Sequence, residues 1–268
     1  MGNNGALMYG ALQKNMIGVL RIFSVGCIPL IQTLFLTLAF YYPWFFLWFA
    51  LAGIIITDLG IAFLIQEHTK KGELFVTSIP SLALIVAVSG IILFVEDQRL
   101  ITLLITGNGI IQLVYFINLY LHSFKKFNYH QRLLAHISNA CNTLSVYLLS
   151  SCIFAIIYYF DIHLWKMLVF LLLIPILFYS ITLKVYNLGI KLQLQNIFFI
   201  ALLAVEIVVV VHWNSFPWYV ASLIYTVFYS TYEQLSISQK IGELTHSKVL
   251  VHFIVLVSVI VLSIFTIL

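Results

Sequence analysis

Charge is what this sequence has least of. Asp, Glu, Lys and Arg make up only 8% of its 268 residues, against about a quarter in ordinary soluble domains. Thirteen basic and nine acidic residues are too few for a nucleic-acid footprint, so nucleic acid is excluded as a partner. With 63% hydrophobic residues and a mean hydropathy of +1.09 the chain is neither disordered nor water-soluble. Cysteine is also scarce. Cys27, Cys141 and Cys152 all fall inside apolar runs, and the last two are about 16 Å apart if they share one helix, too far to bridge. The motifs of soluble chemistry are missing: no His-Glu-x-x-His, no Gly-x-Ser-x-Gly, no phosphate-cradling glycine loop and no aspartate-rich repeat. None of the eight histidines has metal-ligand spacing. No catalytic residue, cofactor or metal is therefore expected.

What is present is long apolar runs. A helix needs about 20 apolar residues to cross hydrocarbon while satisfying its own backbone hydrogen bonds. Nine such runs are predicted, near 20–42, 44–65, 75–95, 100–121, 137–160, 164–185, 196–213, 217–237 and 248–268. Tyr41-Tyr42-Pro43 and Asn214-Ser215-Phe216-Pro217 mark tight turns, because proline lacks a donor and disfavours helix in the residue before it. Glu96-Asp97-Gln98-Arg99 marks another break. Before the first span, Leu7, Met8, Ala11, Leu12, Met16, Val19 and Leu20 recur at helical spacing with Lys14 and Arg21 on another face, which reads as an interfacial amphipathic helix over 1–20. The longest break, Ser123 to His136, is too short for a soluble domain. The expected fold is all-α: a single transmembrane domain, with the nine-helix bundle over 20–268.

Orientation follows from the basic residues, which concentrate in short cytoplasmic loops. With the N-terminus inside, Lys14, Arg21, Lys70, Lys71, Lys125, Lys126, Arg132, Lys184, Lys191, Lys240 and Lys248 fall inside, and only Arg99 and Lys166 outside. All five tryptophans, Trp44, Trp48, Trp165, Trp213 and Trp218, then fall at the outer interface, where amphipathic rings prefer to sit. The C-terminus is outside in this reading. The partner implied is the lipid bilayer, with other membrane proteins as a further class, and a plasma (inner) membrane is the default location.

Ionisable groups deep in a bilayer cost about 2.5–3.5 kcal/mol on insertion scales, so they call for a reason. Glu206, flanked by Val205, Ile207 and Val208 in span seven, and Asp58, beside Thr57 and Gly60 in span two, are the two deep acids on this reading. Either is a candidate proton or cation site; either equally serves as interhelical glue. Asn108 and Gln112 lie one turn apart in span four, within Thr106-Gly107-Asn108-Gly109, as candidate substrate or helix contacts. The two glycines read as an unwound, cavity-lining helix or as close packing. Asn139, Asn142 and Ser145 form a polar seam at intervals of three, which adds Asn142 to the candidate contacts. Nine spans divide as four, one and four, which suits an inverted repeat. Ile28-Pro29-Leu30 echoes Ile174-Pro175-Ile176, with the deep acids 29 and 31 residues after the prolines. In that scheme Asp58 and Glu206 would face each other near the midplane.

Three functions fit. The first is a small permease or exporter using a buried carboxyl. The second is a non-catalytic membrane subunit or scaffold that binds other membrane proteins. The third is a lipid-modifying enzyme, which needs a polar cluster near His122, Arg132 and His136 or near Glu96, Asp97 and Asp161.

Overall fold

The computed structural model describes residues 3–65, 71–123, 131–186, 190–213 and 216–265. His68, Lys70, Lys125, Lys126, His130, Asn214, Ser215 and Leu268 lie outside the described residues, as do the side chains of residues 3–16 and of Lys71, Arg132 and Lys191.

The described residues form nine α-helices and no strand. They are α1 (Asn3–Tyr41), α2 (Phe46–Ile65), α3 (Lys71–Ile92), α4 (Gln98–Ser123), α5 (Gln131–Phe160), α6 (Leu164–Val185), α7 (Ile190–Trp213), α8 (Trp218–Ile241) and α9 (His246–Phe265). Seven are long and apolar enough to cross a membrane: α1, α2, α4, α5, α6, α7 and α9. The other two expected spans fall outside this set for definable reasons. The side chains of α3 are described only from Thr77, and its described apolar stretch is Thr77–Ile92, while α8 carries Ser222, Thr226, Ser230, Thr231, Glu233, Gln234 and Ser236 along its length.

The interfacial helix expected over 1–20 and the first span are one uninterrupted helix, because neither glycine nor proline interrupts the chain at Leu20-Arg21. Arg21, assigned above to the inner surface, is only 5% exposed, with its guanidinium carbon 5.7 Å from the centre of the Phe63 ring. α1 ends at Tyr41, and a short 3-10 turn, Pro43–Phe45, reverses the chain into α2. Trp44, Trp48, Trp165 and Trp213 are exposed at helix ends.

The chain divides into two compact units. Unit 1 comprises Met1–Val86 with Asp97–Ser138; in it α1 packs on α2 and α4, and α2 on α4. Val25, Ile28, Gln32, Leu36 and Ala39 form the buried stripe of α1, and Ile101, Ile105, Asn108, Gln112, Tyr115 and Leu119 that of α4. Spacings of three and four residues put each set on one helix face. α4 runs unbroken through Thr106-Gly107-Asn108-Gly109. Of its two glycines Gly109 serves packing: a Cβ there would fall 2.4 Å from Thr33 Oγ1, so α1 passes too closely for a side chain, whereas Gly107 has nothing within 4 Å.

Unit 2 comprises Ala87–Glu96 with Asn139–Leu268; in it α6 packs on α7 and α8, α8 on α7, and α9 on α8. α8 stops at Gly242, whose φ of +75° suits a residue without Cβ. There the Gly242 N–H donates to Gln239 O at 3.2 Å and the Glu243 N–H to Ser238 O at 2.9 Å, which caps the last carbonyls.

Candidate functional site: a buried carboxyl on helix α8

Ser222, Thr226, Tyr229 and Glu233 follow one another at intervals of four, three and four, so they share one face of α8, and all four are buried. Apolar packing alone does not account for that face. The Ser151 hydroxyl of α5 donates to Ser222 Oγ at 2.7 Å, and the Ser222 hydroxyl donates to Tyr219 O at 2.9 Å.

Glu233 is fully buried, at 0% exposure. The Tyr229 hydroxyl, one turn earlier, donates to its Oε1 at 2.9 Å. From α5, the Asn139 carboxamide faces both carboxylate oxygens; with Nδ2 turned towards them it donates at 3.2 Å to Oε1 and 3.0 Å to Oε2. Thr182 of α6 borders the same carboxyl. Its Oγ1 accepts from Asn142 Nδ2 at 3.2 Å and donates to Phe178 O at 3.0 Å. Among the described residues no Lys, Arg or His pairs with Glu233, and every partner is neutral. One turn further along α8, Ser236 Oγ lies 2.7 Å from the hydroxyl of the buried Tyr179. The Lys240 ammonium, another turn on, sits 5.8 Å from the centre of that Tyr179 ring.

The geometry gives Glu233 two self-consistent hydrogen-bond states. Asn139 carries a donor and an acceptor at nearly superimposable ends of its amide. When the carboxylate is charged, Nδ2 donates to it. When the carboxyl is protonated, turning the amide over lets Oδ1 accept from its O–H at the same 3.0–3.2 Å separation. Tyr229 donates to Oε1 in both states.

The residues singled out from sequence are distributed differently. Asn142 belongs to the Glu233 cluster, with 0% exposure and, among the described residues, no partner for its Oδ1. Glu206 is exposed on α7, and Asp58 is exposed on α2, one residue from the buried Thr57. Gln112 and Asn108 are buried on α4 in unit 1. Gln112 is satisfied by α3: its Nε2 donates to Ser81 O at 2.9 Å, and the Ser81 hydroxyl donates to its Oε1 at 2.5 Å. Among the described residues Asn108 has no hydrogen-bond partner at either end of its amide. Of the residues considered for a surface enzyme, Glu96, Asp97, His136 and Asp161 are exposed, and Asp97 Oδ1 accepts from the Arg99 N–H at 2.8 Å. Among the described residues no group of three or more His, Cys, Asp or Glu side chains is placed to hold a metal ion.

Glu233 did not stand out in the sequence because it lies near the end of its span and seven residues from a lysine. The readable signal was its register with Ser222, Thr226 and Tyr229.

Described residues that are all-helical, with seven helices long and apolar enough to cross a membrane and many large apolar side chains exposed, mark an integral membrane protein. No protein-family description matches it, and no match emerges among curated proteins or solved structures.

Proposed function

We propose that the chain is a small permease or exporter of nine spans, with the N-terminus inside and the C-terminus outside a plasma (inner) membrane. Glu233 is its exchangeable proton or cation site. The observation that carries this reading is the fully buried carboxyl held only by neutral partners. A carboxyl kept as structural glue gains most from a fixed charged or fixed neutral state. Here Asn139 serves both states, so a proton can be loaded and released without leaving a buried group unpaired. α8 fits the nine-span topology as its eighth span despite its polar composition, because its Ser222, Thr226, Tyr229 and Glu233 face is buried. On this reading Asn142 and Thr182 hold the far side of the site, while Glu206 and Asp58 lie on outer helix faces.

The test is proton flux into proteoliposomes loaded with a pH-sensitive dye, driven by a potassium-diffusion potential. Wild-type protein is expected to acidify the lumen, and Glu233→Gln to reduce the rate to that of protein-free vesicles. Asp58→Asn and Glu206→Gln should retain it. Flux that survives Glu233→Gln, or wild-type protein that carries none, overturns the proposal.

One observation favours a second reading, a scaffold for other membrane proteins. Glu206 and Asp58 are exposed within apolar stretches of α7 and α2, and a carboxyl facing hydrocarbon costs about 2.5–3.5 kcal/mol unless a partner covers it.

A further inference from the structure

Helix α7 has two faces. Ile200, Ala204, Ile207, Val208 and Val211 are buried, and α7 packs on α6 and α8. Gln195, Phe199, Leu202, Glu206, Val210 and Trp213 are exposed. Intervals of four, three, four, four and three residues put this second set in one stripe along the helix. The membrane-competent stretch of α7 is Leu194–Trp213. Glu206 therefore sits seven residues, or about 10 Å, from the nearer end. Cα–Cβ bonds lean towards a helix N-terminus, so the carboxyl leans away from that end and into the apolar depth. Hydrocarbon suits Phe199, Leu202 and Val210, but it offers Glu206 neither donor nor acceptor.

The chemistry of the stripe selects its occupant. Among the described residues Arg99, Lys166 and Lys248 lie in the first turn of their helices, Lys184 and Lys240 in the last, and Arg21 near the start of the stretch Ile17–Tyr41. A second copy of the chain thus brings no described cation to the depth of Glu206. It brings another Glu206. Copies inserted in one orientation are related by a two-fold axis along the membrane normal, and a residue near such an axis meets its own counterpart at the same depth. A protonated carboxyl is self-complementary: it has one O–H donor and one carbonyl acceptor, so two of them close a ring of two hydrogen bonds that leaves neither group unpaired. The flanking residues fit the same arrangement. Phe199, Leu202 and Val210 would meet their apolar counterparts, with no charge among them to repel its copy. A single polar residue in an apolar helix seam also fixes register, because a shift along the axis breaks both bonds.

We propose that α7 is a homodimer interface: a second copy of the chain packs parallel along the Phe199–Val210 stripe, and the two Glu206 carboxyls pair across the two-fold axis. The inference goes beyond the permease reading and does not depend on it.

The test uses labelled full-length protein in liposomes over a series of protein-to-lipid ratios, with subunits counted by single-molecule photobleaching. Wild-type protein is expected to pass from monomer to dimer as the ratio rises. Glu206→Leu is expected to raise the dimer dissociation constant about tenfold, and Glu206→Gln by less, because a carboxamide also carries a donor and an acceptor. Leu202→Cys tests the position of the interface. Copper-phenanthroline oxidation should join two chains through it but not through Leu103→Cys, on the exposed side of α4, with wild-type protein and its three native cysteines as the blank. Thermal unfolding in micelles checks that each variant folds. Wild-type protein that stays monomeric at every ratio leaves the stripe to lipid or to a different membrane protein and overturns the proposal. A dimer whose dissociation constant Glu206→Leu leaves unchanged overturns it too, as does cross-linking through Leu103→Cys as efficient as through Leu202→Cys. A Glu206→Gln dimer as weak as that of Glu206→Leu overturns the carboxyl pair.

Discussion

Gly107 and Gly109 belong to one short motif, yet substitution should affect them in opposite directions. A Cβ built at Gly109 falls 2.4 Å from Thr33 Oγ1, closer than real Cβ contacts come, and 3.5 and 3.6 Å from Thr33 Cβ and Cγ2. Thr33 cannot swing away freely. It is β-branched, and its hydroxyl is bonded to Pro29 O at 2.7 Å, so a rotamer change gives up about 1 kcal/mol of hydrogen bond. Overpacking adds about 1–3 kcal/mol, while alanine returns about 1 kcal/mol of helix propensity. Gly109→Ala should therefore destabilise by a net of about 1–3 kcal/mol. At about 2–4 °C per kcal/mol this lowers the unfolding temperature by roughly 2–12 °C. Gly107, with nothing within 4 Å of its Cβ position, is the internal control. Gly107→Ala gains propensity without a clash and should be neutral or slightly stabilising. Thr33→Ala removes both atoms beyond Cβ, so Gly109→Ala in that background should lose its penalty. The assay is thermal unfolding of purified protein in detergent micelles for the four-member cycle of wild type, both single variants and the double variant. A coupling of about 2–4 kcal/mol is expected between the two sites. Strictly additive effects, or a Gly109→Ala variant as stable as Gly107→Ala, would refute the claim that α1 and α4 meet at this point.

Two further substitutions examine unit 2. Gly242→Ala should cost about 1 kcal/mol by forcing a Cβ into the left-handed conformation that caps α8, while Gly242→Asn, which tolerates it, should cost less in the same unfolding assay. Asn139→Leu removes the group that serves both states of Glu233, so it should destabilise by about 1–3 kcal/mol and lower the proton flux. Unchanged stability and flux together would show that Asn139 does not hold the carboxyl.

Hydropathy made the helices legible because it measures what a bilayer demands of a backbone: long runs with no exposed polar group. α6 occupies Leu164–Val185, the predicted span, and the turn at Pro43 falls where the missing proline donor puts it. The same averaging found α8 but hid its buried polar face. Its polar residues dilute the run, although Ser222, Thr226, Tyr229 and Glu233 sit together on a buried face. The continuity of α1 was illegible for a related reason. A change from amphipathic to uniformly apolar patterning marks a change of environment, whereas a helix ends only where its backbone is interrupted.

The deep acids show most clearly what a linear reading measures. Valine and isoleucine surround Glu206 on both sides in sequence, so its neighbours record how far along the helix it sits but not which way it faces. Glu206 and Asp58 are exposed on their helices, whereas Glu233 faces Tyr229 and Asn139. The residue types around each acid carry the missing direction. Polar partners at helical spacing mark a face that protein will satisfy, while an acid with only branched aliphatic neighbours must find its partner on another chain or do without. Glu206→Leu should therefore leave the stability of the isolated chain unchanged, and Glu233→Leu should lower it, because Tyr229 and Asn139 would then be buried without their acceptor.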